Sequence, residues 1–396
     1  MLETVAVFGL GKYQLDGIKQ LQQNNFKIIG FDEQKYPFSR KNVDIFYHIL
    51  FTNRAKIQNI CLKYKVRYLL SFNTEAPLIL ISKLNKNLNL SGYRIKDIEL
   101  IANKIKLRNF FKSKMNLKKP KFLSFRNFTE IQREKKLLKF PLVCKPNVGS
   151  GSRGVFLARN FFELAKLFQI NKNFYFTQRI LLEEFIDNNE FAVEGWIYKK
   201  KFIFGCLSKK VRTEPPYLLD KNLIINYQNL KIKKKIINFL NLFVKKSNID
   251  NMPVHFEFFE RKGNIIPVDI SLRGAGFGVY SNILSKIMRQ SSDKILINLV
   301  MKKKIVFNKP NKKIYFLNFF STNKKGIFKG IKNVKKLISL DTFSEIDLYK
   351  KKNSKVFPLK KGGDRIGHFL LEGYFNSIIK DINFIKKYIE AKVINE

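Results

Sequence analysis

Short apolar runs alternate with amphipathic stretches through the first hundred residues. Val5-Ala6-Val7-Phe8 predicts a strand, Leu15 to Gln23 a helix and Phe26 to Phe31 a second strand ending at Asp32. Tyr68 to Phe72 predicts a later strand and Ala76 to Leu84 a helix. Strands alternating with helices in this way predict a doubly wound α/β unit. A helical pattern then covers Asp97 to Phe111, and Pro120 to Phe125 opens a new unit. Phe140 to Lys145 predicts a strand that runs into Pro146-Asn147-Val148-Gly149-Ser150-Gly151-Ser152-Arg153-Gly154, with Val155 to Ala158 as the return strand. Asn160 stands where a helix carrying Phe162, Leu164, Ala165, Leu167 and Phe168 needs its N-cap. Strands dominate from Gln178 to Ser208, a helix spans Lys231 to Lys245, and a hairpin spans Val254 to Arg273. The rest predicts α+β structure with a closing helix from Phe375 to Ala391, and no internal repeat is evident.

A length of 396 residues suits two or three domains, and 45% hydrophobic residues can supply a sizeable core. No apolar run reaches the ~18 residues of a membrane span. Met1 to Thr4 carries no charged region ahead of an apolar stretch, so no secretory signal is expected. Cys61, Cys144 and Cys206 are too far apart to read as a disulfide framework or a zinc site. These features point to the cytoplasm.

The formal charge of +45 invites a nucleic-acid reading. Yet 61 of the 76 basic residues are Lys, spread over the whole chain, whereas phosphate-gripping surfaces favour the Arg fork. Lys, Asn, Ile and Phe, all encoded by A/T-rich codons, are over-used together. The charge is therefore taken as compositional, and no specific nucleic-acid partner is expected.

Candidate chemistry begins with the glycine-rich loop. It joins two strands and lacks the G-K-[ST] ending of a Walker P-loop, so it predicts a flap whose N–H groups can close over phosphates. Lys145, at the end of an apolar strand, needs an anionic partner, and a nucleotide phosphate would supply one. The Gly9-x-Gly11 pair lacks its third glycine, since Gln14 stands there, and a tight turn explains it. In the Val254 to Arg273 hairpin, alternation puts His255, Glu257 and Phe259 on one face. Asp269, Ser271 and Arg273 share a face on the second strand, with Val268, Ile270 and Leu272 toward the core. A turn centred on Gly263 makes Glu257 and Asp269 direct neighbours, with Cβ atoms about 4.5–5.5 Å apart. Such a pair repels unless a cation intervenes: Mg²⁺, or Arg261, Arg273 or a lysine.

In order and spacing these pieces resemble the ATP-grasp superfamily of the carboxylate–amine ligase type. The resemblance implies a Rossmann-like unit (residues 1–95), a two-lobed ATP-grasp domain (96–305, flap lobe about 120–182, metal lobe about 187–305) and a C-terminal α+β domain (306–396). It implies ATP contacts from Lys104, in Asn103-Lys104-x-x-x-Arg108, from Lys145, and from the flap residues Ser150, Gly151, Ser152 and Gly154. It also implies an adenine hinge at Glu183, Glu184 and Ile186, and a ribose-binding acid at Glu190. Glu257, Asp269 and Ser271 match the metal ligands, with Asp and Ser where Glu and Asn are commoner. Arg273, together with Lys145, matches the catalytic cations, Arg273 facing an acyl phosphate or substrate carboxylate. Gly363-Asp364-Arg365-Ile366-Gly367-His368, with Glu372-Gly373, resembles a closing strand motif with a structural role.

The expected activity is ADP-forming ligation of a small carboxylate to an amine through an acyl phosphate. ATP and Mg²⁺ (or Mn²⁺) would be required, with no membrane partner, and with a homodimer left open. The rival readings are a biotin-carboxylase-like or purine-pathway carboxylating enzyme, and a nucleotide- or nucleic-acid-binding protein without turnover.

Overall fold

The computed structural model describes residues 2–394. Among them the chain combines α/β and α+β structure on four sheets. The first sheet is parallel: β1 (Thr4–Phe8), β2 (Lys27–Asp32), β3 (Ile45–His48) and β4 (Val66–Leu70), in the order β3-β2-β1-β4. α1 (Leu15–Gln23), α2 (Arg54–Lys63) and α3 (Leu78–Asn87) alternate with these strands. All five residues of β1 are buried, as expected of a strand covered on both faces. The edge strand β3 and α2 were not among the predicted elements. β3 is only partly buried, and α2 buries just Ile57, Ile60 and Cys61, so both carry a weak apolar signal.

The Gly9-x-Gly11 turn is closed from within. The Leu10 N–H donates to Asp32 Oδ2 at 2.6 Å, and Gly9 adopts φ +83°. Gln14, where a dinucleotide motif needs glycine, accepts from the Phe72 N–H (3.2 Å) and donates to Thr74 Oγ1 (2.5 Å), tying down the loop after β4.

The single helix expected over Asp97 to Phe111 is two, α4 (Ile95–Ala102) and α5 (Lys104–Lys114). Asn103 breaks the pattern because its side chain caps α5, accepting from the Lys106 N–H at 2.9 Å. Lys104 therefore opens a helix.

The second sheet is antiparallel: β5 (Phe122–Phe125), β6 (Leu142–Pro146), β7 (Phe156–Ala158) and β8 (Ile180–Glu184), in the order β5-β8-β6-β7. It carries α6 (Phe128–Arg133) and α7 (Phe161–Asn171). Asn160 caps α7, accepting from the Glu163 N–H at 2.9 Å.

The third sheet has eight strands. It contains β9 (Glu190–Tyr198), β10 (Lys201–Arg212), β11 (Asp220–Ile225), then, after α8 (Leu230–Ser247), β12 (Met252–Arg261) and β13 (Asn264–Ser271). A π-helical turn (Val279–Leu284), α9 (Ser285–Met288) and α10 (Ser292–Val300) follow, and the chain returns to this sheet with β14 (Ile314–Phe320). Next come β15 (Gly326–Lys332), α11 (Val334–Ile338), β16 (Phe343–Leu348), β17 (Lys355–Val356), β18 (Gly367–Gly373), α12 (Phe375–Tyr388) and β19 (Glu390–Ile394). The order β13-β12-β9-β10-β11-β14-β18-β16 runs unbroken across residues 305 and 306. The closing helix ends at Tyr388. Ala391 and Val393 alternate onto the core, so the last residues pair with β15 in a third-strand position of the fourth sheet, β17-β15-β19.

The β12–β13 hairpin opposes Glu257 to Asp269 as expected, but by another route. Its turn is Lys262-Gly263, both with positive φ (+48° and +83°), which shifts the register by one residue. A bulge between Glu257 and Phe258 leaves Val268 unpaired and restores the alignment at the carboxylates. Val268 accordingly packs on Ile186, Phe259 and Ile266, not with Ile270 and Leu272 in the core as alternation alone implied. Among the described residues no helix is long and apolar enough to cross a membrane.

α1 is seated on Phe72 through Gly17, where a Cβ would lie 2.4 Å from the ring. Gly17→Ala should cost about 1–3 kcal/mol despite the ~1 kcal/mol better helix propensity of Ala. Urea unfolding measures this, and a variant at least as stable as the parent would contradict the seating.

Candidate active site

A cavity of about 430 Å³ opens between the flap-bearing sheet, the β9–β13 end of the large sheet and the residues around β14 and Arg365. The flap, residues 147–155, forms one wall. Gly149, Gly151, Ser152 and Gly154 all have positive φ (+145°, +67°, +54° and +75°), which curls the loop back over the cavity. Ser150, Gly151, Ser152 and Arg153 line it. Gly154 does not. A Cβ there would meet Phe174 at 2.8 Å, and its carbonyl accepts from the Tyr175 hydroxyl, so Gly154 anchors the flap's base instead of facing a phosphate.

The flap is tied to α5. Asn147 accepts from the Lys104 N–H through its carbonyl and from the Ile105 N–H through Oδ1, both at 3.0 Å. Lys104 Nζ donates to Gly149 O at 2.8 Å and lies 3.5 Å from Asp269 Oδ2.

Lys145 projects from β6 and meets Glu183 of β8 at 2.6 Å. The other Glu183 oxygen accepts from Arg108 Nε, also at 2.6 Å, and Arg108 is 2% exposed. Burial alone would raise the Glu183 pKa, but Arg108 and then Lys145 override it and hold the carboxyl at about 2. The Glu184 carboxylate accepts from the Lys121 N–H at 2.7 Å and pairs with Lys119. Both hinge carboxylates are thus engaged within the chain. Ile186, with Phe259, Ile266 and Val268, supplies an apolar wall at this end.

Lys210 of β10 is the feature that sequence reasoning missed. Its side chain is 5% exposed, and its ammonium sits against Glu257 Oε1, 2.9 Å from Glu190 Oε1 and 3.0 Å from Asp220 Oδ1. Burial would lower its pKa; Asp220, Glu190 and Glu257 raise it well above the ordinary lysine value. Glu190 also pairs with Arg212 Nε at 3.0 Å, so the acid matched to ribose hydroxyls faces two cations.

His255 pairs across strands with Glu194, Nδ1 against Oε1, and its Nε2 lies 3.4 Å from Glu257 Oε1. Burial opposes a charged ring, but Glu194 and Glu257 push its pKa up to about 10. Glu194 also accepts from the Ala275 N–H at 3.2 Å. The signal for this group was available: Glu190, Ala192 and Glu194 alternate onto one face of β9, facing the cavity.

Glu257 and Asp269 are both on the cavity wall, directly opposed. Burial would raise the Glu257 pKa, and Lys210 with His255 holds it well below the carboxylate range. The two carboxylates are neutralised by lysines, Lys210 on Glu257 and Lys104 on Asp269. Ser271 Oγ donates to Glu75 Oε2 (3.3 Å), as does Arg273 Nε (3.2 Å). No group of three or more His, Cys, Asp or Glu is arranged to hold a metal among the described residues. Two opposed hard-oxygen donors nevertheless fit Mg²⁺, which typically completes its shell with phosphate oxygens and water.

Residues 138–281 match the model of the ATP-grasp domain. The chain has the ATP-grasp fold. The L-amino acid ligase from Bacillus licheniformis superposes with a TM-score of 0.86 at 16% identity, covering 99% of each chain. Phosphoribosylglycinamide synthetase from Anaerococcus prevotii gives 0.73 at 16% identity over 100% of both chains. The biotin carboxylase domain of the Hydrogenobacter thermophilus 2-oxoglutarate carboxylase gives 0.71 at 14%, covering 99% of this chain and 91% of that one. No curated protein matches the sequence. In this ATP-grasp fold the cavity lies where the flap lobe faces the large sheet.

Glu183→Gln would leave Arg108 buried beside a neutral amide, costing roughly 3–5 kcal/mol at neutral pH. Because the folded pKa of Glu183 is depressed to about 2, its contribution is present above about pH 4.5 and lost as pH falls toward 2. The stability gap between parent and variant, measured by denaturant unfolding, should therefore narrow below pH 4.5. A gap under about 0.5 kcal/mol at pH 7 would contradict the buried pairing.

Proposed function

We propose that the chain is an ADP-forming, ATP-dependent carboxylate–amine ligase acting through an acyl phosphate on an amino acid or another small carboxylic acid. The observation that carries this reading is the opposed Glu257–Asp269 pair on a cavity wall that three lysines from separate elements also reach. The three proposed units, residues 1–95, 96–305 and 306–396, each contribute to that wall.

Lys104, Lys145 and the flap's N–H groups would bind the phosphates, with Ile186, Phe259 and Val268 packing on the base. Each lysine already has a carboxylate partner, so phosphate binding is an exchange of anions and not the burial of new charge. Glu257 and Asp269 would hold Mg²⁺ or Mn²⁺, which when bound neutralises phosphate oxygens during transfer. Lys210, held beside Glu257, would offset charge spreading over the transferred group. Arg273, turned from Glu75, would orient the substrate carboxylate and then stabilise the oxyanion formed when the amine attacks the acyl phosphate. No covalent nucleophile is required. Consistent with that, all three cysteines are buried, and burial pushes the Cys144 thiol up to about 12.

ADP release should depend on both a carboxylate and an amine when a panel of amino acids, other small acids and bicarbonate is tested. Glu257→Gln or Asp269→Asn should lower it by more than about 100-fold, in line with loss of preorganised charge stabilisation. Stability should change little, since Lys210 keeps Glu190 and Asp220, and Lys104 keeps Gly149 O. Turnover retained with a large loss of thermal stability would make the pair a structural cluster. Release supported by bicarbonate alone would favour a carboxylating enzyme.

A further inference from the structure

A second cleft, of about 650 Å³, lies between the end of α9, the loop before β14 and the end of β18, and it shares no lining residue with the ATP cavity. Lys286 and Arg289 reach it from the end of α9, and Lys312 and Lys313 from the loop. Among the described residues that line it, Glu372 is the one carboxylate, and two lysines share it: Lys313 at 2.8 Å and Lys286 at 3.5 Å. Arg289 and Lys312 are exposed, and among the described residues no carboxylate lies within ion-pair distance of either. Four cations and one carboxylate leave three positive charges around this opening.

The walls of the cleft are held from behind. Asn311 donates through its N–H to Ile287 O at 2.7 Å and through Nδ2 to Lys286 O at 2.9 Å, and its Oδ1 accepts from the Lys313 N–H at 2.9 Å. The buried Asn226 donates to the Asn311 and Lys313 carbonyls (3.0 and 2.8 Å), and Asn308 donates to Arg289 O at 3.0 Å. The backbone that carries the four cations is thus fixed before any ligand arrives. An A/T-biased composition explains lysines scattered over solvated faces, such as the run Lys233-Lys234-Lys235 on α8. It does not explain cations from two segments distant in sequence converging on one concavity, where they repel one another until an anion enters.

We propose that this cleft is an anion site separate from the ATP cavity, and that it takes a small, multiply charged phosphate compound. Its volume is that of a small-ligand pocket, and a cleft lined by one sign of charge focuses its field on what enters. Phosphate suits it better than carboxylate does. The cations stand on different walls, and the oxygens around a phosphorus atom accept from several directions at once, whereas a planar carboxylate offers one edge. Arg289 and Lys312 would meet the ligand directly, and Lys286 and Lys313 would turn to it from the carboxylate they share. The site goes beyond the ligase reading and does not depend on it.

The test is titration calorimetry of the full chain with pyrophosphate, without divalent metal, in about 0.15 M NaCl to screen loose surface binding. A Kd below about 0.1 mM is expected. Arg289→Gln combined with Lys312→Gln should raise that Kd about tenfold, and neither change strips a buried partner. Lys234→Gln combined with Lys245→Gln removes the same charge from exposed positions of α8 and should change the Kd less than about twofold. The site should persist in Lys145→Met, since Lys145 belongs to the ATP cavity. Equal weakening by the two double variants would show adsorption to a basic surface and overturn the proposal. Binding lost in Lys145→Met and kept in the cleft variant would place pyrophosphate in the ATP cavity, and overturn it too. Sedimentation of the chain with vesicles of phosphatidylcholine and phosphatidic acid, without binding of pyrophosphate, would mean a lipid surface instead of a small-molecule site. No binding of either probe would also overturn the proposal, and in every case the ligase reading would stand or fall separately.

Discussion

The ammonium of Lys210 is almost wholly removed from water, and three carboxylates on three strands make that tolerable. Glu190 comes from β9, Asp220 from β11 and Glu257 from β12, so the cluster holds only if β9, β10, β11 and β12 keep their register. Leaving such a buried charge with no partner at all typically costs several kcal/mol, whereas a surface ion pair contributes about 1 kcal/mol or less. The cluster thus links the alignment of the large sheet to the ionisation of Glu257. From Glu257 the chain of charge continues through His255 to Glu194, and from Glu194 to the Ala275 N–H beside Arg273.

The cavity is therefore highly charged yet internally balanced. Its lysines and arginines, Lys104, Lys145, Lys210, Arg212 and Arg273, are held in place by acids. The net charge of +45 hides this, because the site is one region where acids approach the cations in number.

Much of this was legible in the chain. The alternating pattern around Gly263 anticipated Glu257 opposite Asp269, although the pairing rests on a bulge that the pattern does not contain, and the apolar run ending at Lys145 marked that lysine. Asn103 before Lys104 has a simple physical basis, since Asn is a good helix N-cap. Other features were hidden for definite reasons. Lys210 is one of 61 lysines, and nothing local distinguishes it until β9, β11 and β12 are assembled around it. The bulge that sends Val268 to the cavity depends on the Lys262-Gly263 turn, which the pattern of apolar residues does not specify. Glu183 lies in an acidic pair whose burial comes from α5 and β6, far away in sequence. The expected closing helix ran on to Ala391, over the first residues of β19, because Glu390 and Ala391 fit either period until β15 is present to pair with them.

The central claim is that this charge-balanced cavity activates a carboxylate by transferring the terminal phosphate of ATP to one of its oxygens. The most direct measurement uses a carboxylate substrate labelled with ¹⁸O and follows the label into the phosphate released on ligation. The account predicts ADP as the nucleotide product, with one carboxylate oxygen carried into each phosphate as the amine displaces it. Unlabelled phosphate, or release of AMP and pyrophosphate, would contradict it.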